Sequence, residues 1–328
     1  KYNAMIWFFI LIFAVSCILL YFSGELVTAS LMKIAKFLGW REFVVAFFVM
    51  AFATSLPNIF VGVTSALRKI PELSFGDIAG NNLIAMTLVA ALGVLFAKKG
   101  EISAESRTVQ TTSIFTIVAA ILPLLLIGDG ALSRLDGLLL IAFFVLYVYW
   151  LFSKKERFTK IYDTSQTQQI PIAKELKIFF KDTGKLILGI IFLIIAAQGI
   201  VASAQFFAQS FNIPIILIGL LITSFGNSLA DIYFAVVSAR KGETWMILGS
   251  LMGAVIILST LVLGFVSLIH PIEIADSAPL VIARIFLIIS ALFFLFFVRT
   301  GRQITKKEAF FLILIYIVFV LFTLFFRG

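Results

Sequence analysis

The chain has 328 residues, of which 62% are hydrophobic and 13% charged, and its net charge at neutral pH is +9. Soluble proteins average ~45–50% apolar and ~25% charged residues, so the composition excludes an ordinary soluble domain and predicts one membrane domain. The basic residues lie between apolar segments rather than in one stripe, which argues against a nucleic-acid-binding protein. A single cysteine excludes an intramolecular disulfide, and a single histidine excludes a histidine cluster for a transition metal.

Apolar segments recur along the whole chain, and each is long enough to cross ~30 Å of hydrocarbon. Residues 26–40 follow the first segment and are interpreted as its continuation at the membrane interface. The fold class predicted is therefore an all-α integral membrane protein with ten transmembrane helices. The predicted spans are 4–22, 42–67, 74–97, 110–128, 134–153, 185–209, 213–239, 245–269, 280–298 and 308–326.

The charged connection 154–184 divides these spans into a first half, 1–153, and a second half, 185–328. A short amphipathic helix is predicted within the connection, at 172–181. Ten spans place both termini on the same side, and termini outside would put 20 of the 26 basic residues on inner connections. The positive-inside rule favours that orientation. We therefore expect a plasma-membrane or inner-membrane protein with loop 154–184 in the cytoplasm.

An internal repeat relates the two halves at an offset of 173 residues. The motif region 53–82 in the first half aligns with 226–253 in the second, and eight of the 28 positions from 53 to 80 are identical. Because the copies lie five spans apart, the second enters the membrane in the opposite direction. Inverted repeats of this kind are common in secondary transporters, which bind substrate near the midplane.

Hard oxygen ligands cluster on the second, third and seventh spans at helical spacing. Oxygens of hydroxyls, amides and carboxylates suit Ca²⁺, Na⁺ or H⁺ and not soft metals. A carboxylate at the bilayer centre costs ~2.5–3.5 kcal/mol. A cation or a hydrated cavity would account for Asp231, and the alternative is a structural hydrogen-bond acceptor within the bundle. Asp77 lies near the end of its span and could instead be an interfacial helix-start residue. The candidate cation-binding residues are Thr54, Ser55, Asn58, Asp77, Asn81, Asn82, Asn227, Ser228 and Asp231.

The two motifs resemble the alpha-repeats of the calcium/cation antiporter superfamily. The sequence Ala-Thr-Ser-Leu-Pro-Asn at 53–58 resembles Gly-Thr-Ser-Leu-Pro-Glu, and Gly-Asp-Ile-Ala-Gly-Asn-Asn at 76–82 resembles Gly-Asn-x-x-Gly-Ser-Asn. The second motif, Gly-Asn-Ser-Leu-Ala-Asp at 226–231, is most similar to the mitochondrial sodium/calcium exchanger and related cation/calcium exchangers. The resemblance implies exchange of Ca²⁺ for Na⁺ or H⁺ by alternating access. It also implies that Asn58 and Asp231, at the two acidic motif positions, are the central metal ligands.

The chain departs from that pattern at several positions. Asn58 replaces the first acidic residue, while Ala85 and Leu258 stand where the family has an Asn or Asp that lines its site. These departures leave two alternatives open: a monovalent cation/proton exchanger on the same fold, and a transport-inactive relative with a structural role.

Enzymatic activity is not predicted, because the spans contain no catalytic histidine, no paired catalytic carboxylates on facing spans and no Ser-Lys element. No Gly-x-x-x-x-Gly-Lys loop is present, so no nucleotide partner is expected either. We predict no cofactor, only transported inorganic cations and the lipid bilayer as partners. The protein is expected to act as a monomer or homodimer.

Overall fold

The computed structural model describes residues 2–37, 50–153, 172–242, 244–274 and 277–325. Almost all of these residues are helical, and the expectation of an all-α membrane protein is confirmed. The helices in the described ranges are α1 (Tyr2–Phe37), α2 (Met50–Leu67), α3 (Pro71–Phe96), α4 (Arg107–Asp129), α5 (Arg134–Ser153), α6 (Ile172–Phe211), α7 (Ile215–Lys241), α8 (244–269), α9 (Ser277–Arg299) and α10 (Lys306–Phe325).

Nine of these helices are long and apolar enough to cross a membrane. The tenth, α2, is apolar from Ala51 to Leu67, and the beginning of its predicted span, 42–49, lies outside the described residues. Each predicted span otherwise coincides with one helix.

Residues 26–40 were expected to continue the first helix, and α1 does continue, through 36 residues, to Phe37. One predicted boundary was wrong. The helix predicted at 172–181 is not a separate element of loop 154–184 but the beginning of α6, a continuous helix of 40 residues that begins at Ile172; residues 154–171 lie outside the described ranges. Helices of this length measure about 54–60 Å and extend beyond the ~30 Å hydrocarbon layer.

The extended ends of α1 and α6 pack against each other. The Lys33 ammonium lies 3.6 Å from the Asp182 carboxylate, and at the opposite end of the pair the rings of Phe9 and Phe206 stack with centroids 4.0 Å apart. These contacts make α1 and α6 an antiparallel pair. The charged residues that indicated a loop are therefore accommodated on a helix that continues past the apolar layer.

Two short antiparallel ribbons tie the connections together. Strand β1 (Glu101–Ser103) pairs with β4 (Gln303–Thr305), and β2 (Ala131–Leu132) pairs with β3 (Ile272–Glu273). Moved along by the repeat offset of 173 residues, β1 falls next to β3 and β2 falls on β4. The two ribbons are therefore equivalent under the repeat. Given the alternation of the helices, they lie at opposite ends of the bundle.

Local distortions of the backbone recur at the same offset. The π-helical turn Ala85–Val89 in α3 matches Ile257–Val262 in α8. The left-handed turn residue Lys69, between α2 and α3, matches Gly242 after α7. Departures from regular geometry are improbable by chance at equivalent places, so they support the internal repeat independently of residue identity.

Helices α3 and α8 occupy the centre of the bundle. In the most apolar 18-residue stretch of each helix, 83% of residues are buried in α3 and 78% in α8, against 28% in α5 and in α10. Helices α3 and α8, which occupy equivalent places in the two halves, therefore form the interior of the bundle.

Candidate cation-binding site

Asp77 is the centre of the polar cluster on α3. Its side chain is fully buried, six residues after the start of the helix, so the interfacial reading is wrong. The Asn58 amide nitrogen donates to it at 3.0 Å, and the Asn227 amide nitrogen donates to its two carboxylate oxygens at 2.9 and 3.0 Å. Asp77 thus joins α2 of the first half to α7 of the second. In the described part of the chain no Lys or Arg forms an ion pair with it.

The two amides that hold Asp77 leave their oxygens without a donor. The oxygens of Asn58 and Asn227 are buried and have no hydrogen-bond partner, and the same holds for the oxygen of Asn82. A buried unsatisfied acceptor costs about 1–3 kcal/mol. Three amide oxygens and a carboxylate in one buried region match the hard ligands that Ca²⁺ and Na⁺ prefer.

Two further hydrogen bonds connect the halves beside Asp77. The Ser228 hydroxyl donates a short hydrogen bond to the Asn81 amide oxygen. The Asn82 amide nitrogen donates to the Ser259 hydroxyl at 2.6 Å. The predicted polar residues of α3 therefore all point into the interior, where they meet the second half.

Glycines permit the close approach on which these contacts depend. A methyl group added at Gly76 would collide with the Ile216 carbonyl oxygen, and one at Gly80 would collide with the Leu220 carbonyl oxygen. From the facing segment, a methyl group at Gly219 would collide with the Leu73 carbonyl oxygen. Gly76 and Gly80 thus form a small-xxx-small face, the surface on which α3 meets the first turns of α7.

Asp231 lies in a different environment. Its neighbour is Thr54 on α2, whose hydroxyl donates to the Ala51 carbonyl oxygen at 3.3 Å. Asp231 also borders a small enclosed space of about 10 Å³, which is lined by Ala85, Ser250 and Ala254 as well. Under the repeat, Ser250 and Ala254 are the equivalents of Asp77 and Asn81. Asp231 therefore faces the same positions of α8 as those that carry the polar cluster on α3.

Asn58 and Asp231 were predicted to be the central ligands of one ion. In the structure each has its own partner: Asn58 contacts Asp77, and Asp231 contacts Thr54. The Ser55 hydroxyl donates to the Ala51 carbonyl oxygen of its own helix at 2.7 Å, and the Thr54 hydroxyl donates to the same oxygen at 3.3 Å.

Ser250 and Ser259 were not among the predicted site residues. The repeat offset could have indicated Ser250, because that residue matches Asp77. No sequence signal indicated Ser259, one hydroxyl among several in apolar spans, before its contact with Asn82 was known.

Buried carboxylates and amides between two repeated helical halves, with no basic residue paired to the carboxylates in the described ranges, define a membrane transporter for cations. A family model agrees: that of the sodium/calcium exchanger protein family matches residues 8–153 and 182–325. The chain belongs to this family.

Individual relatives are distant but similar along most of their length. The sodium/calcium exchanger MaX1 of Methanosarcina acetivorans is 24% identical over 88% of this chain and 91% of its own. The inner membrane protein YrbG of Escherichia coli is 25% identical over 88% of each chain. The fold resembles that of the sodium-calcium exchanger NCX_Mj, with a TM-score of 0.66, 22% identity and coverage of 96% of this chain and 98% of that one.

Proposed function

We propose that this protein is a secondary-active antiporter that exchanges Ca²⁺ for Na⁺ or H⁺ by alternating access. Asp77 and Asp231 supply the negative charge of its cation site, and Asn58 and Asn227 supply neutral oxygens. The observation that carries the proposal is the buried Asp77 carboxylate, held by two amides whose own oxygens have no donor.

The positions of the two charges support a divalent substrate. Asn58 stands where the resembling family motif has Glu, and Asp77 stands where it has Asn, yet these two side chains are in contact at 3.0 Å. The first half has therefore kept one carboxylate at this contact and moved it from α2 to α3. With Asp231 the site carries two negative charges, which balance one Ca²⁺.

The amides explain how the site remains stable without an ion. Their nitrogens donate to Asp77 when no cation is present, which reduces the cost of a buried charge. Rotation of each amide by about 180° would turn its oxygen toward an arriving cation. Asp77, Asn58 and Asn227 thereby serve both the empty and the occupied site.

The chain also supplies a further ligand on α2. Pro57 has no N–H, so the carbonyl of Ala53, one turn earlier, lacks its usual helical donor. Ala53 and Thr54 line the same cavity next to the Asp231 environment. We assign the Ala53 carbonyl as a neutral ligand on the Asp231 side of the site.

The test is an ion-flux assay on the purified protein in proteoliposomes. Uptake of ⁴⁵Ca²⁺ is followed under an outward Na⁺ gradient, an outward H⁺ gradient and no gradient. We expect gradient-driven Ca²⁺ uptake. Na⁺ or K⁺ movement coupled to H⁺ without any Ca²⁺ uptake would instead support the monovalent cation/proton exchanger. A folded protein that moves none of these ions would contradict the proposal and support a transport-inactive relative.

A further inference from the structure

Glu25 is an ionisable residue within a membrane span that the site described above does not use. It is the one charged residue among the apolar residues Met5–Leu31 of α1, and its side chain is exposed. A charge in a span is costly and needs a cavity, a partner or a ligand. In the described ranges, no ion pair neutralises Glu25.

The carboxylate of Glu25 borders a cavity of about 270 Å³ between α1, α2 and α7. Tyr21, Thr28 and Tyr233 contribute hydroxyls to the wall, and Thr54 contributes another. Thr54 is also the residue that contacts Asp231. The cavity therefore extends from a carboxylate at its margin to a ligand of the candidate cation site.

The equivalent place in the other half is closed. The residue that matches Glu25 at the repeat offset is Gln198 on α6, and its amide oxygen accepts two hydrogen bonds from the Arg68 guanidinium, at 3.1 and 2.6 Å. The neighbours of Gln198 on the same helix, Ala197 and Val201, are fully buried. A methyl group already fills the position where α1 has Gly24.

The counterpart of Arg68 is Lys241, and no ion pair joins Lys241 to Glu25 in the part of the chain that the structure describes. The Arg68–Gln198 contact connects α2 to α6 at one end of the bundle. Its equivalent, at the end that carries the β1–β4 ribbon, is not formed. The place beside Gln198 is thus closed, whereas its repeat equivalent beside Glu25 borders a cavity.

We propose that this cavity is the route by which cations reach Asp231 from the β1–β4 face, and that Glu25 recruits them there. The inference rests on the proposed function for its substrate, a small inorganic cation. Glu25 attracts positive ions into a mainly apolar passage, where the hydroxyls of Thr28 and Thr54 replace part of their hydration shell. The neutral Gln198 shows that the other face does not use the same carboxylate.

Thiol labelling tests this without requiring transport. In a Cys17→Ser background, Thr54→Cys is treated from each side of the membrane with a cationic and an anionic methanethiosulfonate of similar size. We expect modification from the β1–β4 side, faster by the cationic reagent. Glu25→Gln should lower the cationic-to-anionic rate ratio about fivefold, since one nearby charge is lost. The matched control Glu105→Gln, at an exposed loop carboxylate, should leave the ratio unchanged.

The flux assay separates failure of this inference from failure of the proposed function. In an active antiporter, Glu25→Gln should raise the half-saturating Ca²⁺ concentration on the β1–β4 side about fivefold and leave the opposite side unaffected. An active transporter whose labelling ratio and half-saturation do not respond to Glu25→Gln would overturn the role of Glu25. Labelling of Thr54→Cys only from the opposite side would overturn the route. Absence of any cation flux, with the ratio changed as expected, would refute the proposed function alone.

Discussion

The two half-sites hold their carboxylates at different positions of the same repeated framework. In the first half, α2 presents Asn58 and α3 presents Asp77, whereas in the second half α7 presents Asp231 and α8 presents Ser250. Each half therefore contributes one negative charge. In the first half α3 carries it, and in the second half α7 carries it. The comparison teaches that the repeat preserves the charge of a helix–helix contact while the residue that carries it can change.

Hydrogen bonding distinguishes the half-sites further. Asp77 is fully buried and held by two amides, while Asp231 is only partly buried and has a hydroxyl as its neighbour. We infer that Asp77 is the fixed element of the site and that Asp231 is the one exposed to the entering ion. The predictions below test this division of roles.

The largest effect is expected from removal of either charge. Asp231→Asn and Asp77→Asn should each weaken Ca²⁺ binding by about 3 kcal/mol or more, a factor of ~100, because a divalent ion is then left uncompensated in a buried site. Flux and Ca²⁺ affinity of both variants would be measured beside Asp129→Asn, an exposed carboxylate at the end of α4 replaced in the same way. Transport at the level of the control in Asp231→Asn would refute the mechanism.

Moving the charge back to α2 should restore much of what Asp77→Asn loses. In the double variant Asn58→Asp with Asp77→Asn, the same contact keeps one carboxylate and one amide. We expect Ca²⁺ affinity within about tenfold of the natural protein, a difference of ~1.4 kcal/mol. A double variant as inactive as Asp77→Asn would show that Ca²⁺ binding depends on the position of the carboxylate and not on its charge alone.

Asn58→Asp alone separates the empty site from the occupied one. Two carboxylates at this contact repel each other without a cation, so the variant should be less stable when Ca²⁺ is absent and should gain more stability when it is added. Thermal unfolding with and without Ca²⁺ measures both effects. If neither changes, Asn58 is confined to a packing role.

A smaller effect is expected at the glycine face between the halves. Gly80→Ala should destabilise the protein by about 1–3 kcal/mol, because the added methyl group meets the Leu220 carbonyl and overpacks the contact. Gly184→Ala, where nothing lies within 4 Å of the added carbon, is the matched control. Equal thermal stability of the two variants would contradict the close packing of α3 on α7.

The sequence predicted the fold well because apolar length, charge bias and the repeat are properties of the chain itself. It predicted poorly where a boundary depends on tertiary contacts. Residues 172–181 were expected to form a short separate helix within a loop, yet they are the first part of the 40-residue helix α6, in which Asp182 is paired with Lys33 on the neighbouring helix.

Within the site, helical spacing correctly selected the polar faces but not their partners. Asn58 was expected opposite Asp231, since the repeat makes them equivalent, whereas its actual neighbour is Asp77. Equivalence under a repeat says which positions correspond and not which of them touch. Glu25 was missed because it lies between the predicted span 4–22 and the segment 26–40, and its significance depends on a cavity formed by three helices.

The central claim is that Asp77 is part of the Ca²⁺ site, and the most direct measurement is stabilisation of the purified protein by Ca²⁺. A ligand present at 100 times its dissociation constant stabilises the native state by about 2.7 kcal/mol. We predict that Ca²⁺ raises the unfolding temperature of the natural protein, that Asp77→Asn loses this response, and that the double variant with Asn58→Asp recovers it. A full Ca²⁺ response in Asp77→Asn would contradict the account.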